Sequence, residues 1–186
     1  TFDEGYENGY SGQILDVLQR TQTPAAFFIT GDYLKNESEL VARMVNEGHI
    51  VGNHTQNHPS MPGVSDIKSL AKEITELDDS FFALTGQHMR YLRPPKGEFS
   101  EKSLAVSKDL GYRSVFWSFA YADWEKDKTN GAQYAYDHVM PYLHDGAIIL
   151  LHAVSKDNAD ALEKIITDAK AAGYTFKSSD EIGRAH

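Results

Sequence analysis

Apolar residues recur along this chain with two alternating patterns. In six stretches they return every three or four residues, which is the spacing of one face of a helix. The clearest stretch places Ile67, Leu70, Ile74, Leu77, Phe81 and Leu84 on a single stripe. Between these stretches lie short runs rich in aromatic and β-branched residues, which are typical of strands. We predict helices at 11–20, 35–47, 67–84, 100–110, 131–143 and 158–172, and strands at 1–3, 25–30, 49–53, 89–92, 112–118, 147–151 and 174–177.

Strands that alternate with helices indicate parallel pairing through right-handed crossovers. Seven strands in 186 residues predict an α/β fold, a barrel or partly open barrel of about seven parallel strands, with a doubly wound sheet as the alternative. The chain contains no evident linker, so we expect one domain over 1–186. Its abrupt start at Thr1 suggests that an upstream segment has been trimmed.

Composition and charge exclude several classes of function. The chain has no cysteine, which rules out disulfides, thiolate metal sites and a cysteine nucleophile. Its 27 acidic residues outnumber the 18 lysines and arginines, for a net charge of −9. This balance argues against nucleic acid as a partner, because binders of the phosphate backbone need a basic face. The densest apolar run, 147–151, is too short to insert into a membrane.

Ionisable residues follow five of the predicted strands. In parallel α/β folds the carboxyl ends of the strands meet at one edge, where functional groups gather. Five strand ends that each carry such a group therefore predict a site. The residues are Asp3, Glu4, His54, Arg93, Asp123 and His152.

His54 and His58 form a pair that could bind a metal ion. On a short helical turn, two imidazoles four residues apart lie on one face. Thr55 stands where the zincin motif requires glutamate, so a general base must come from elsewhere. Asp3 and Glu4 are the candidates, one to complete the metal shell and the other to take a proton.

Five ordered motifs together resemble the NodB-type polysaccharide deacetylases of carbohydrate esterase family 4. The motifs are Thr1–Gly5, His54–His58, Arg93–Gly97, Asp123–Trp124 and Ile149–His152, and the resemblance covers essentially the whole chain. Within that family the chain is most similar to the sporulation-type deacetylases of peptidoglycan N-acetylmuramic acid, through Gly5–Tyr10, Lys96–Ser100, Tyr134–His138 and Leu151–Ala159.

The resemblance implies a distorted (β/α) barrel of about seven parallel strands as the fold. It also implies a mechanism and a role for each matching residue. A divalent metal ion, zinc before manganese, cobalt or iron, activates the water that attacks the acetamide. Asp3 is the base, Arg93 orients it, His152 is the acid and Asp123 tunes that acid. Glu4, His54 and His58 are the metal ligands, and Trp124 and Leu150 line the slot for the acetyl methyl group.

Two positions depart from the family pattern. The second carboxylate of the first motif is usually aspartate, and Glu4 is one methylene longer. The third motif often carries tyrosine where this chain has Lys96. A cation there suits a substrate with a nearby anion, and peptide-free muramic acid has a lactyl carboxylate.

The leading hypothesis is therefore a deacetylase of peptidoglycan N-acetylmuramic acid in the pathway to the muramic δ-lactam of spore cortex. It implies glycan strands as partners, an extracytoplasmic location in the cell wall or spore envelope, and a monomer. The alternative is a deacetylase of N-acetylglucosamine in peptidoglycan or chitin-like chains. A third hypothesis is a catalytically inactive glycan-binding module. A fourth is a glycosidase that uses Asp3 and Glu4 as its carboxylate pair. Adjacent strand residues point to opposite faces, which argues against this pair.

Overall fold

Six short strands and seven α-helices largely alternate along the part of the chain that the structure describes. The computed structural model describes residues 1–125 and 128–181, so 126–127 and 182–186 of the predicted domain lie outside the described ranges. The strands are β1 Phe2–Glu4, β2 Ala26–Ile29, β3 Ile50–Asn53, β4 Tyr91–Leu92, β5 Arg113–Ser114 and β6 Leu151–His152. The helices are α1 Ser11–Arg20, α2 Gly31–Asn36, α3 Ser38–Asn46, α4 Ile67–Thr85, α5 Glu101–Asp109, α6 Ala132–Val139 and α7 Lys156–Ala171.

All strand pairs are parallel, in the order β5-β4-β3-β2-β1-β6. The segments next to the two outer strands also meet, because Phe119 forms a parallel bridge with Ile149. The amide of Ser118 donates to the carbonyl of Ile148 at 2.7 Å. This contact brings the two edges of the sheet together. The α/β prediction is confirmed, and the edge contact favours the distorted barrel over an open doubly wound sheet.

The structure corrects three predicted elements. Residues 174–177 form no strand in the described part of the chain, which has six strands rather than seven. The amide of Tyr174 instead donates to the carbonyl of Ala169 at 3.0 Å, which ties this segment to the end of α7. The predicted helix at 35–47 is two helices, because Glu37 leaves helical geometry at ψ 36°. The predicted helix at 131–143 ends at Val139 and continues as a short 3₁₀ turn that contains a proline.

The apolar stripe of α4 packs into the core as the periodicity predicts. Leu70, Ile74 and Leu77 have no exposed surface, whereas Ile67 and Leu84 at the ends of the stripe are exposed. No helix in the described ranges is long and apolar enough to span a membrane.

Gly52 lets two strands approach beneath the site. A Cβ atom at this position would lie 2.6 Å from the ring of Phe28 and 3.2 Å from the carbonyl oxygen of Tyr91. The ring of Phe28 is fully buried, and the guanidinium of Arg93 lies 4.2 Å from its centroid. Any side chain at Gly52 would therefore displace the support of Arg93.

We expect Gly52→Ala to lower the free energy of unfolding by about 1–3 kcal/mol, the usual cost of overpacking a core. The measurement is urea denaturation. Gly12→Ala is the matched control: this glycine lies in α1, and a Cβ there would meet nothing within 4 Å. The control should be neutral or slightly stabilising. Equal stability of Gly52→Ala and wild type would contradict the tight contact.

Candidate active site

A cavity of about 720 Å³ opens at the carboxyl ends of the strands. Most of the predicted site residues line it: Asp3, His54, His58, Lys96, Trp124, Leu150 and His152. Arg93 and Asp123 lie behind this lining, each bonded to one of its members. Most residues of the strand-end prediction therefore meet at one edge of the sheet.

Asp3 and Arg93 form a buried ion pair at the floor of the cavity. Nη1 of Arg93 donates to Oδ1 of Asp3 at 2.7 Å, and Arg93 has no exposed surface. The remaining guanidinium groups donate to the carbonyls of Val115 and Phe116, each at 3.2 Å. With each of its three nitrogens donating a hydrogen bond, Arg93 holds Oδ1 of Asp3, and Oδ2 lies 3.5 Å from Nε2 of His54.

The two histidines meet as predicted, but not through a helical turn. Their ring centroids are 4.8 Å apart. The intervening residues form a loop in which Thr55 and His58 have φ values of +69° and +55°. The amide of His58 donates to the hydroxyl of Thr55 at 3.1 Å, which stabilises this loop.

The chemistry of both imidazoles fits a divalent metal ion. Nδ1 of His54 lies 2.7 Å from the carbonyl oxygen of Arg93, so it carries the hydrogen and leaves a lone pair on Nε2. Burial lowers the pKa of His54 to about 4. Burial and the positive charge of Lys96 also lower the pKa of His58. Both rings are therefore neutral near pH 7, as metal ligands must be.

Glu4 does not join them. Its carboxylate is fully buried, and it is not among the described residues that line the cavity. Within the described part of the chain neither of its oxygens has a hydrogen-bond partner. Burial, together with the charges of Glu7 and Asp3, raises its pKa well above the usual value. The physical reason is that Glu4 follows Asp3 in a strand, where successive side chains point to opposite faces.

The expected ligand set of Glu4, His54 and His58 is thus not assembled. No three His, Cys, Asp or Glu side chains within 1–125 and 128–181 are arranged to hold a metal ion. Only the two histidines of the predicted set come together.

His152 and Asp123 form the opposite wall of the cavity. Nδ1 of His152 lies 2.7 Å from Oδ1 of Asp123, and the amide of His152 donates to Oδ2 at 2.8 Å. Burial alone lowers the pKa of His152, but the hydrogen bond and charge of Asp123 outweigh it, and the pKa ends above its usual value. His152 therefore holds its proton more firmly than an ordinary histidine. Asp3 and His152 are paired in register on β1 and β6, so the two groups lie side by side.

The remaining predicted residues shape the cavity. Trp124 is 52% exposed, and its ring lies 5.6 Å from that of His152. Leu150 is buried beside them, so an apolar slot lies next to the imidazole. Lys96 is exposed on the side of His58 and has a φ of +58°.

Sequence reasoning missed four residues of this region. Tyr6, Trp117 and Tyr121 line the cavity, and Asn158 bonds to Asp123 from α7. Their side chains carry no charge at neutral pH, so a search for ionisable groups at strand ends does not find them. The available signals for Asn158 are that it falls in the Leu151–Ala159 run of the resemblance and in the first turn of a helix that follows His152 closely.

Comparison with known proteins gives consistent results. A family model described as polysaccharide deacetylase matches residues 1–115. The peptidoglycan-N-acetylmuramic acid deacetylase PdaA of Bacillus subtilis is 47% identical over 183 residues, which is 98% of this chain and 69% of the relative. A peptidoglycan-N-acetylglucosamine deacetylase of Bacillus cereus is 32% identical over 191 residues, 99% of this chain and 86% of the relative.

The fold agrees with these sequence relationships. The solved structure of Bacillus subtilis PdaA, a family 4 carbohydrate esterase, superimposes with a TM-score of 0.94 at 46% identity. The match covers 97% of this chain and 77% of that structure. With its motifs, its fold and its relatives in agreement, the chain belongs to the polysaccharide deacetylase family, carbohydrate esterase family 4.

Proposed function

We propose that this chain hydrolyses the N-acetyl group of N-acetylmuramic acid in peptidoglycan, releasing acetate and a free amine. The main observation behind the proposal is that one cavity holds two ionisable side chains, each of which is hydrogen-bonded to a different buried residue. Asp3 is bonded to a buried arginine, and His152 is bonded to a buried aspartate. Amide hydrolysis needs such a pair, because one group must accept a proton from water and another must protonate the leaving nitrogen.

Asp3 acts as the general base. Its Oδ1 is occupied by Arg93, which leaves Oδ2 as the oxygen that can take a proton from the attacking water. Arg93 works through Asp3 and has no exposed surface with which to meet the substrate.

His152 acts as the general acid. Asp123 accepts the hydrogen of Nδ1, so the other ring nitrogen, Nε2, is available for the departing amine. The raised pKa of His152 keeps that nitrogen protonated closer to neutral pH. The acetyl methyl group lies in the apolar slot between Trp124 and Leu150, which places the amide nitrogen beside His152.

His54 and His58 would hold a divalent metal ion, and we propose zinc. When bound, the metal supplies Lewis acidity that polarises the acetamide carbonyl and lowers the pKa of water. Glu4 has no part in this proposal, because its carboxylate does not line the cavity.

Muramic acid is the proposed substrate for two reasons. The relative at 47% identity is named for N-acetylmuramic acid, whereas the one named for N-acetylglucosamine is at 32%. Lys96 also places a positive charge at the cavity, which suits the lactyl carboxylate of a muramic residue without its peptide. We therefore propose action on peptide-free strands of the cell wall, in the pathway to the muramic δ-lactam of spore cortex. The second candidate, a glucosamine-type substrate, is supported by the Bacillus cereus relative.

Removing either proton-transfer group should abolish most of the activity. We expect Asp3→Asn and His152→Ala each to lower kcat by about 10²–10⁴-fold, the usual contribution of a positioned acid or base. The measurement is acetate release from peptide-free glycan strands, with circular dichroism to confirm folding. Near-normal turnover of folded Asp3→Asn would remove Asp3 from the mechanism.

Metal binding should depend on the histidines and not on Glu4. Within the described residues only two imidazoles of the predicted set come together, so titration calorimetry should show weak zinc binding to wild type, the same Kd for Glu4→Gln, and no detectable binding to His54→Ala. Glu4→Gln is nearly isosteric, so it tests the charge alone. A clearly lower affinity of Glu4→Gln than of wild type would place Glu4 in the metal shell after all.

Lys96→Met should weaken the preference for muramic residues. A partly exposed charge pair is worth about 0.2–1 kcal/mol, so we expect KM for peptide-free muramic strands to rise by about 1.4- to fivefold. The KM for N-acetylglucosamine oligomers should not change. Lys108→Met, an exposed lysine on α5 outside the cavity lining, is the control. An unchanged preference in Lys96→Met would remove its role, and a wild-type preference for the glucosamine oligomers would favour the second candidate.

A further inference from the structure

Asn158 lies directly behind the proposed acid and is 1% exposed. It stands in the first turn of α7, just after the N-cap residue Ser155. The backbone amide of Asn158 satisfies the cap by donating to Oγ of Ser155 at 3.3 Å. The side-chain amide is not needed for that purpose, and it points to the site instead.

Each polar atom of this side chain has a partner. Nδ2 donates to Oδ2 of Asp123 at 2.5 Å and to the carbonyl oxygen of His152 at 3.2 Å. Oδ1 accepts from the hydroxyl of Tyr121, a residue that lines the cavity. The amide orientation is therefore determined, because a flipped amide would set its oxygen against a carboxylate and a carbonyl.

Asp123 in turn receives a complete set of donors. Oδ1 faces Nδ1 of His152, while Oδ2 accepts from the backbone amide of His152 and from Asn158. A carboxylate held by donors at both oxygens cannot rotate about its terminal torsion without losing them. Nδ1 of His152 must then carry the hydrogen, and Nε2 faces the cavity.

We infer that Asn158 is a positioning residue for the reaction: it locks Asp123 and thereby fixes the tautomer and orientation of His152. This inference rests on the proposed function, in which His152 is the acid. Asn158 does not touch the substrate. It acts through Asp123, and through Tyr121 it connects that carboxylate to the cavity wall.

The position calls for an amide because it must donate twice and accept once. Aspartate has the same shape but would set a second acceptor against Asp123. Leucine has a similar shape without polar atoms, so it removes all three hydrogen bonds. Together the two variants separate the loss of hydrogen bonds from the introduction of charge.

The test compares Asn158→Asp and Asn158→Leu with Ser107→Ala. Ser107 is equally buried, on α5, and its hydroxyl donates to the carbonyl of Ser103 at 2.9 Å, away from the cavity lining. We expect both Asn158 variants to lower kcat by about 10–100-fold, as outer-shell partners of functional groups typically do, with KM changed by less than about twofold. Ser107→Ala should leave kcat and folding unchanged, because its hydroxyl bonds only to a carbonyl of its own helix.

A second readout does not depend on activity. In wild type the hydrogen between Nδ1 of His152 and Asp123 should give a downfield proton resonance in the NMR spectrum, assigned by its absence from His152→Ala. The resonance should be lost or shifted in both Asn158 variants and retained in Ser107→Ala. Unchanged kcat and an unchanged resonance in folded Asn158→Leu would overturn the inference. If wild type releases no acetate from muramic or glucosamine strands, the proposed function fails, and the resonance alone then decides whether Asn158 positions His152.

Discussion

The buried pair of Arg93 and Asp3 is the interaction on which the rest of this structure depends. A guanidinium without exposed surface is costly to bury unless a countercharge and acceptors surround it. Arg93 meets that condition with one carboxylate, two backbone carbonyls and the ring of Phe28. These partners come from β1, β2 and the segment after β5, so one side chain joins strands that are distant in sequence. Removing either charge would leave the other buried without a partner.

The main chain of Arg93 extends this constraint to the side of the cavity that holds the two histidines. Its amide donates to the carbonyl of Asn53 at 2.9 Å, and its carbonyl receives the ring of His54. On the other side, the parallel register of β1 and β6 sets Asp3 beside His152. Asp3, His54 and His152 are therefore placed by a single ion pair and the strands that carry it. The Asp123–Asn158 network then supports His152 from behind, as Arg93 supports Asp3.

The loop between the two histidines shows where local reasoning failed. A spacing of four residues predicts a helical turn, but Thr55 and His58 adopt positive φ angles instead. The cause lies in α4, where Glu73 accepts from the amide of Gln56 through its carbonyl and from the amide of Asn57 through its carboxylate, both at 2.8 Å. These bonds replace those of a helix. The pairing of the histidines was predictable, whereas the backbone that pairs them was not.

The sequence by itself determined the parallel α/β order of the elements and the edge of the sheet where most of the predicted site residues meet. It could do so because side-chain periodicity and polar residues at strand ends are local features of the chain. The positions of Glu4 and Asn158 relative to that cavity were decided only by the tertiary structure. Because Glu4 directly follows Asp3 in β1, its side chain points to the opposite face of the strand, away from the two histidines that line the cavity. Asn158 becomes part of the site because α7 starts directly behind Asp123, 35 residues away in the chain, and no pattern in a single sequence specifies that contact.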